Sequence, residues 1–465
     1  MVNRRDFIGL GAGTAASGLI PRCLAQGMDY QAPQLARVAK RVTELSRKTD
    51  AGFFFITDLH VADNFKKSGE LLAELVRRTP IRRTICGGDI GVAFSWKSPS
   101  DEAAVKYAAS EFRAKWVKPI EAAGGDIYTA KGNHDFSTGK NVGATEGCTL
   151  TCRETRDILM DSRGCRAAVV NPDEPDSCYY YFDDSSARFR YVVADTTDSV
   201  RGDPPKRSIV YGMHDSQLAW MAEKALGTVP DGWSVVVVHH VPIVGVLADE
   251  GVEKFYAPFR QMIEAYQNRG RTRIGGREID FSGARGRIVL DLTGHMHGER
   301  QTWKNGILHV TEPCDAAYGD YIPGSAPWCG ALPKKVGGTP FEQTFDAVQI
   351  DIGKGLVYFT RVGGGQDRVV HFMPRTVRVG DSLRLVAENM PEVDRWACYD
   401  GDRVTFRSHP ENRWNKLIDY HSDCARIDGD GVLTALKPGV TMVLAIAQDW
   451  RKEIMPVRII GKNGT

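Results

Sequence analysis

The chain has 465 residues, 25% charged and 42% hydrophobic, with 60 Lys and Arg against 58 Asp and Glu for a formal net charge of +2. That length exceeds one ordinary domain and leaves room for a large core plus a smaller unit. A balance so near neutrality excludes a surface built to wrap a polyanion or coat an anionic membrane, and it argues against nucleic acid as a ligand.

In chain order, Asn3-Arg4-Arg5-Asp6-Phe7-Ile8 precedes a small-residue, weakly apolar run over 9–20. This is the pattern of a twin-arginine export signal over residues 1–25, with cleavage after Ala25. The run is too short and glycine-rich for a bilayer span, which needs about twenty apolar residues. A periplasmic or secreted protein with no stable membrane insertion after cleavage is therefore expected. Ten cysteines less Cys23 of the signal leave nine in a compartment that permits disulfides. Cys148 and Cys152, Cys165 and Cys178, Cys314 and Cys329, and Cys398 and Cys424 are neighbours that could pair, although spacing does not fix connectivity. Cys86, inside an apolar run, reads as a buried free thiol. Cys148 and Cys152 lack the second pair a zinc finger needs.

A linker and then a basic amphipathic helix are predicted over 28–50, with Leu35, Val38, Val42 and Leu45 on one face. Phe53-Phe54-Phe55-Ile56-Thr57 reads as a buried strand, and Leu71, Leu72, Leu75 and Val76 mark the next helix. Arg83-Thr84-Ile85-Cys86 is a second strand. A long helix over 105–123 should turn Tyr107, Phe112, Trp116 and Ile120 inward, and Ile127-Tyr128-Thr129-Ala130 supplies a third strand. Residues 136–176 are polar, glycine-rich and cysteine-bearing, as expected of a functional cap or loop. A β-hairpin follows over 179–195, then a helix from about 216 capped by Ser216 or Asp215. Val235 to Val238 and Ile288 to Thr293 are further buried strands. Residues 345–352 alternate as a half-buried strand, partnered by 356–361, and are expected to close a second sheet. The whole is a layered α/β arrangement. Beyond residue 373, short strands punctuated by Gly, Asp and Pro predict a small β-sandwich of about ninety residues.

Five short motifs stand at or near the ends of these runs: Asp58-Leu59-His60, Gly87-Gly88-Asp89, Gly132-Asn133-His134-Asp135, His239-His240-Val241-Pro242 and Gly294-His295-Met296-His297. Side chains at the carboxyl ends of buried strands converge where open sheets bind ligands. Their oxygen and imidazole donors suit hard or borderline divalent ions. Taken singly, each Asp or His reads as a cap or a surface residue; their joint order carries the inference. The set resembles the calcineurin-like metallophosphoesterases over residues 51–362, with GGD in place of the commoner GD.

That resemblance implies a four-layer α/β/β/α sandwich, placed over 26–372, and the strands over 373–465, with their Gly431-Val432-Leu433-Thr434-Ala435-Leu436-Lys437-Pro438-Gly439 turn, separately resemble a bacterial Ig-like β-sandwich. The metallophosphoesterase resemblance implies two divalent metal ions, Mn, Fe or Zn, bridged by Asp89. Asp58, His60 and His297 would complete one ion, and Asn133, His240 and His295 the other. His240 takes precedence over His239 because it holds the H-x-P position and adjacent strand residues face opposite ways. Metal-activated hydroxide would attack phosphorus in line, His134 would protonate the leaving group, and Asp135 would orient His134. Val92 stands where purple acid phosphatases carry a metal-binding Tyr, so no tyrosinate is expected. Arg201, Lys206 and Arg207 form a basic loop that reads as solvated, with phosphate contact as its alternative.

The functional expectation is an exported dinuclear-metal phosphoester hydrolase acting on a small phosphoester, first a phosphomonoesterase. A phosphodiesterase, of cyclic nucleotide or glycerophosphodiester type, is the alternative. A non-catalytic cell-envelope binding protein is the alternative from another class. Substrate, metal identity and oligomeric state stay open at this level.

Overall fold

Phe53, Phe54, Phe55 and Ile56 lie in one strand, Ala51–Ile56, that is apolar on both faces. Successive side chains of a strand point to opposite sides, so Phe53 and Phe55 join one core while Phe54 and Ile56 join another. The Ser234–Val238 strand divides the same way. Val236 and Val238 share the core of Phe53 and Phe55, and Val235 and Val237 enter a third. Two sheets therefore face each other across the first core, with helices on the outer side of each. The computed structural model describes residues 28–62, 64–91, 102–136, 150–198, 211–244, 253–317, 335, 337–390, 392–401, 405–409 and 412–462. Residues 1–25, read from the sequence as an export signal, Val92, Cys148, Cys329 and the Arg201, Lys206 and Arg207 stretch lie outside the described residues.

In the first sheet Ala51–Ile56, Arg83–Cys86 and Asp126–Thr129 run parallel, in that order. In the second, Phe189–Val193, Ser234–Val238, Arg287–Thr293 and Ile307–Thr311 run parallel. Helices Ala32–Leu45 and Phe65–Arg78 cover the first sheet, and Ala257–Gln267 covers the second. Leu35, Val38, Val42 and Leu45 are all buried, as their spacing predicts. The architecture is the expected four-layer α/β/β/α sandwich.

Several expectations are corrected. Tyr107 does not face inward: it is 57% exposed, with the Lys66 ammonium over its ring. Its helix is also not uniform, running Glu102–Phe112, then a π-turn Arg113–Val117, then Lys118–Ala122. Pro119 has no N–H to give the Lys115 carbonyl, so the ladder widens there. Gly69 of the neighbouring helix approaches that same carbonyl, where a Cβ would sit 2.2 Å from the oxygen.

Thr344–Asp351 pairs antiparallel with Ala51–Ile56, so it extends the first sheet and not the second. It is buried along its whole length, because Ala347 packs under the outer helices and Val348 against the opposite sheet. The helix Asp215–Trp220 has His214 as N-cap and no side-chain cap. Part of the 136–176 stretch is helical, Cys152–Leu159 and Arg163–Ala167, the first started by a capping box of Thr151 and Glu154. Cys165 and Cys178 are unbridged because they occupy different cores. Cys398 and Cys424 are also free thiols, turned to the carbonyls of Ala425 and Pro438.

The C-terminal strands have a core of their own, with Leu385, Leu433, Val443, Met455 and Val457. Their sheet nevertheless continues the first one, since Lys452–Ile460 pairs in parallel with Arg368–His371 and antiparallel with Gly439–Ile446. At that seam Arg361, Arg368 and Lys452 are buried against Glu299, Glu312 and Asp346. Arg361 Nη2 donates to Glu299 Oε2 at 2.7 Å, Arg368 Nη1 to Asp346 Oδ2 at 2.9 Å, and Lys452 Nζ to Glu299 Oε1 at 3.0 Å. Three cations and three carboxyl groups are thus interleaved where water is excluded.

Candidate metal centre

The parallel strands end level with one another. Ile56 pairs with Cys86 and Cys86 with Thr129, while Val193 pairs with Val238 and Val238 with Leu292. Each motif begins within a few residues of those ends, so parallel pairing brings all of them to one edge of the sandwich. Main-chain bonds then stitch the motifs together. Asp58 N donates to Gly88 O at 3.0 Å, and the N–H groups of Leu59 and His60 donate to Asp89 O at 2.8 and 3.1 Å. Asp315 N donates to Thr57 O and Ala316 N to Asp58 O, both at 3.0 Å, tying the second sheet to the first.

The backbone is strained where these side chains converge. Asp58, His60, Asp89, His295 and His297 all have φ between 49° and 68°. Left-handed conformation is uncommon outside glycine and collects at functional sites. The motif glycines answer a packing need. A Cβ on Gly132 would sit 2.1 Å from Asp89 Oδ1, and one on Gly294 would sit 2.0 Å from Thr57 Oγ1 and 2.6 Å from Asp58 Oδ2.

Asp89 lies at the centre of the donors. Its Oδ2 is 3.2 Å from His240 Nε2 and 3.9 Å from His60 Nε2. Asp58 Oδ1 is 3.2 Å from His297 Nε2, 3.8 Å from His60 Nε2 and 4.0 Å from His240 Nε2. Asn133 Oδ1 is 3.1 Å from His240 Nε2. The ligand atoms of Asp58, His60 and Asp89 lie within 4.8 Å of one another, as do those of Asp89, His240 and His295. Asp89 belongs to both sets. The remaining oxygens are held in place: Asp58 Oδ2 accepts from Thr57 Oγ1 at 2.8 Å and His295 N at 3.0 Å, and Asp89 Oδ1 accepts from His134 N at 2.8 Å. His240 Nδ1 donates to Gly87 O at 2.9 Å, which leaves Nε2 as the ligand nitrogen.

Electrostatics match a cation site. Burial works against the charge on Asp58 and Asp89, yet neighbouring histidines hold both carboxyls below the ordinary carboxylate range. Burial pushes His60 down to about 3. It would lower His240 too, but the Asp89 charge prevails and raises His240 to about 9. A proton on His240 thus stands where a cation would serve the same carboxylate. Asp58 Oδ1 is buried with no hydrogen-bond partner, a costly state for a carboxylate unless a positive charge meets it. The donor set fits two divalent ions sharing Asp89.

His134 sits against this cluster, its ring centroid 5.3 Å from that of His60, and burial lowers its pKa. Asp135 accepts from Gly132 N and Gly91 N, each at 2.8 Å, so its support for His134 runs through the turn they share. His239 points away, its Nε2 2.8 Å from Asp291 Oδ1, and His309 Nδ1 is 2.6 Å from the other oxygen. His371 Nε2 is 2.8 Å from Glu453, far along the first sheet. Two neighbours escaped the sequence reading. Tyr211 lies ring to ring with His295 at 5.8 Å, and Cys314 groups with His60 and His297. Neither belongs to a motif; tertiary contacts alone bring them here.

No protein-family model and no curated protein matches the chain. Solved structures do. A dimetal phosphatase from Danio rerio is 15% identical, covering 70% of this chain and 100% of its own, with a TM-score of 0.47. The phosphopantetheinyl hydrolase of Mycobacterium tuberculosis is 15% identical over 57% of this chain and 89% of its own, TM-score 0.30. The vacuolar protein sorting 29 of Cryptosporidium parvum is 15% identical over 68% and 94%, TM-score 0.26.

Proposed function

We propose that the chain is a metal-dependent phosphoester hydrolase that is exported before it acts. The observation carrying this reading is the pair of donor sets that share Asp89 where parallel strands of two sheets end. Asp58, His60 and His297 would hold one divalent ion, Asn133, His240 and His295 the other, and Asp89 both. Ions so placed lower the pKa of water and neutralise charge on phosphoryl oxygens.

The chain's own acid in this reading is His134. Burial lowers its pKa and so favours the neutral imidazole. A phosphoryl group beside it adds negative charge, which favours the imidazolium. The proton is then present beside the departing ester oxygen, and chiefly when substrate is in place. Asp135, buried and pushed up to about 7 by burial and then by Asp89, braces the turn that carries His134.

Monoesters are the first substrate class in this reading and diesters the second. The Arg4-Arg5 segment supports export, which cell fractionation of the full chain checks. The deciding experiment follows hydrolysis of a chromogenic monoester and a chromogenic diester with Mn or Zn added. Turnover that needs metal and stops on chelation supports the proposal. Two bound ions with neither ester hydrolysed would leave a binding protein of the cell envelope.

A further inference from the structure

Among the described residues, the proposed ligands leave a sulfur donor beside the first ion position without a role. Cys314 is 1% exposed, and its Sγ lies within 4.8 Å of the ligand nitrogens of both His60 and His297. The sulfur is turned toward Asp58, 3.1 Å from its carbonyl oxygen. Its loop is fixed from two sides. The Asp315 and Ala316 amides bond to Thr57 and Asp58, and the buried Lys335 ammonium donates to the carbonyls of Cys314, Asp315 and Ala316. A second observation marks the same space. Asp58 Oδ1, buried and with no hydrogen-bond partner, is aimed into it, 3.2 Å from His297 Nε2 and 3.8 Å from His60 Nε2.

We propose that Cys314 is a sulfur ligand of the cation held by Asp58, His60 and His297, and that it biases this position toward Zn, Fe or Co over Mn. The inference rests on the two-metal reading above. When the ion binds, the S–H bond breaks, a sulfur–metal bond forms and the proton passes to solvent, with no change of oxidation state. Thiolate beside imidazole and carboxylate suits borderline ions, whereas all-oxygen surroundings suit Mn and Mg. The second position, built from Asn133, His240 and His295, has no sulfur among its proposed ligands, so the two positions would differ in metal preference.

The test uses the full chain reconstituted with Co. Two bound Co ions and a thiolate-to-cobalt charge-transfer band are expected, with the band lost in Cys314→Ser and kept in Cys398→Ser. The preference for Zn over Mn at one position should fall about tenfold or more in Cys314→Ser. Should that variant fail to fold, X-ray absorption at the zinc edge of the unaltered protein decides, with a sulfur shell expected at about 2.3 Å. Two bound Co ions without the band, a band unchanged in Cys314→Ser, or a Cys314–Cys329 disulfide would each overturn this ligand assignment and leave the hydrolase reading standing. Failure to bind any metal would overturn both.

Discussion

Asp58 Oδ1 and His297 Nε2 face each other across 3.2 Å, although 239 positions separate the two residues in the chain. Asp58 comes from the first sheet and His297 from the second, so this contact is where the two halves of the site meet. Asp58→Asn should cost at least about tenfold in affinity for one of the two ions. Titration followed by elemental analysis checks it, with stoichiometry falling from two ions toward one.

Gly132 leaves no room for a side chain, since an added Cβ would stand 2.1 Å from Asp89 Oδ1 and 2.2 Å from Asp89 N. Gly132→Ala should displace the shared carboxylate and lower the content of both ions. Gly283→Ala, where nothing lies within 4 Å of the added carbon, should bind metal normally. Equal metal content in the two variants would contradict the central place given to Asp89.

His134→Ala removes a ring but none of the proposed metal ligands. Metal content should stay at two ions while kcat falls by about 10²–10⁴, the range for loss of a positioned acid. Esters with good leaving groups should lose less than those with poor ones, because they need the proton less. Unchanged turnover on a poor leaving group would remove His134 from the mechanism.

Arg361 is buried with Asp346 Oδ1 at 3.0 Å and Glu299 Oε2 at 2.7 Å. Arg361→Met should destabilise the fold by about 3–5 kcal/mol, because it leaves three buried carboxyl groups facing only two cations, Arg368 and Lys452. Urea denaturation reads this directly. Glu299 lies just beyond His297, so the same variant should also weaken metal binding.

Acid should destabilise the protein through the same seam. Burial alone would raise Asp346, but Arg361 and Arg368 outweigh it and hold the carboxyl below its ordinary value. Glu453 is lowered likewise: burial opposes the charge, and the bonds from His371 and Asn389 prevail. A carboxyl lowered in the folded state contributes stability that is full above its unfolded pKa, about 4, and is lost as pH falls through the folded value. Denaturation midpoints should therefore change little between pH 7 and about 5 on account of these groups, then fall below about 4. Glu453→Gln should flatten part of that descent.

Much of the candidate site was legible because each proposed ligand belongs to a short motif beside a strand, and a local motif survives any rearrangement of distant chain. Helix faces were legible where burial follows one period, as with Leu35, Val38, Val42 and Leu45. Tyr107 broke the pattern because its face of the helix meets Lys66 and solvent instead of the sheet.

The partner of Thr344–Asp351 could not be read locally. A strand whose polar and apolar residues alternate fits beside many others, and only the assembled core buries it on both faces and assigns it to Ala51–Ile56. The union of the C-terminal strands with the first sheet is of the same kind. It depends on Arg368 and Lys452 pairing across a long separation.

By itself, then, the amino-acid order determined most of the elements, the layered plan and the five motifs, since these rest on periodicity and on chemistry a few residues wide. Tertiary structure decided which donors gather around Asp89, that Cys314 stands beside them, and that one sheet runs continuously through the two regions. Those are contacts between distant residues, and they exist only once burial of both faces of the sheets has selected one arrangement from many.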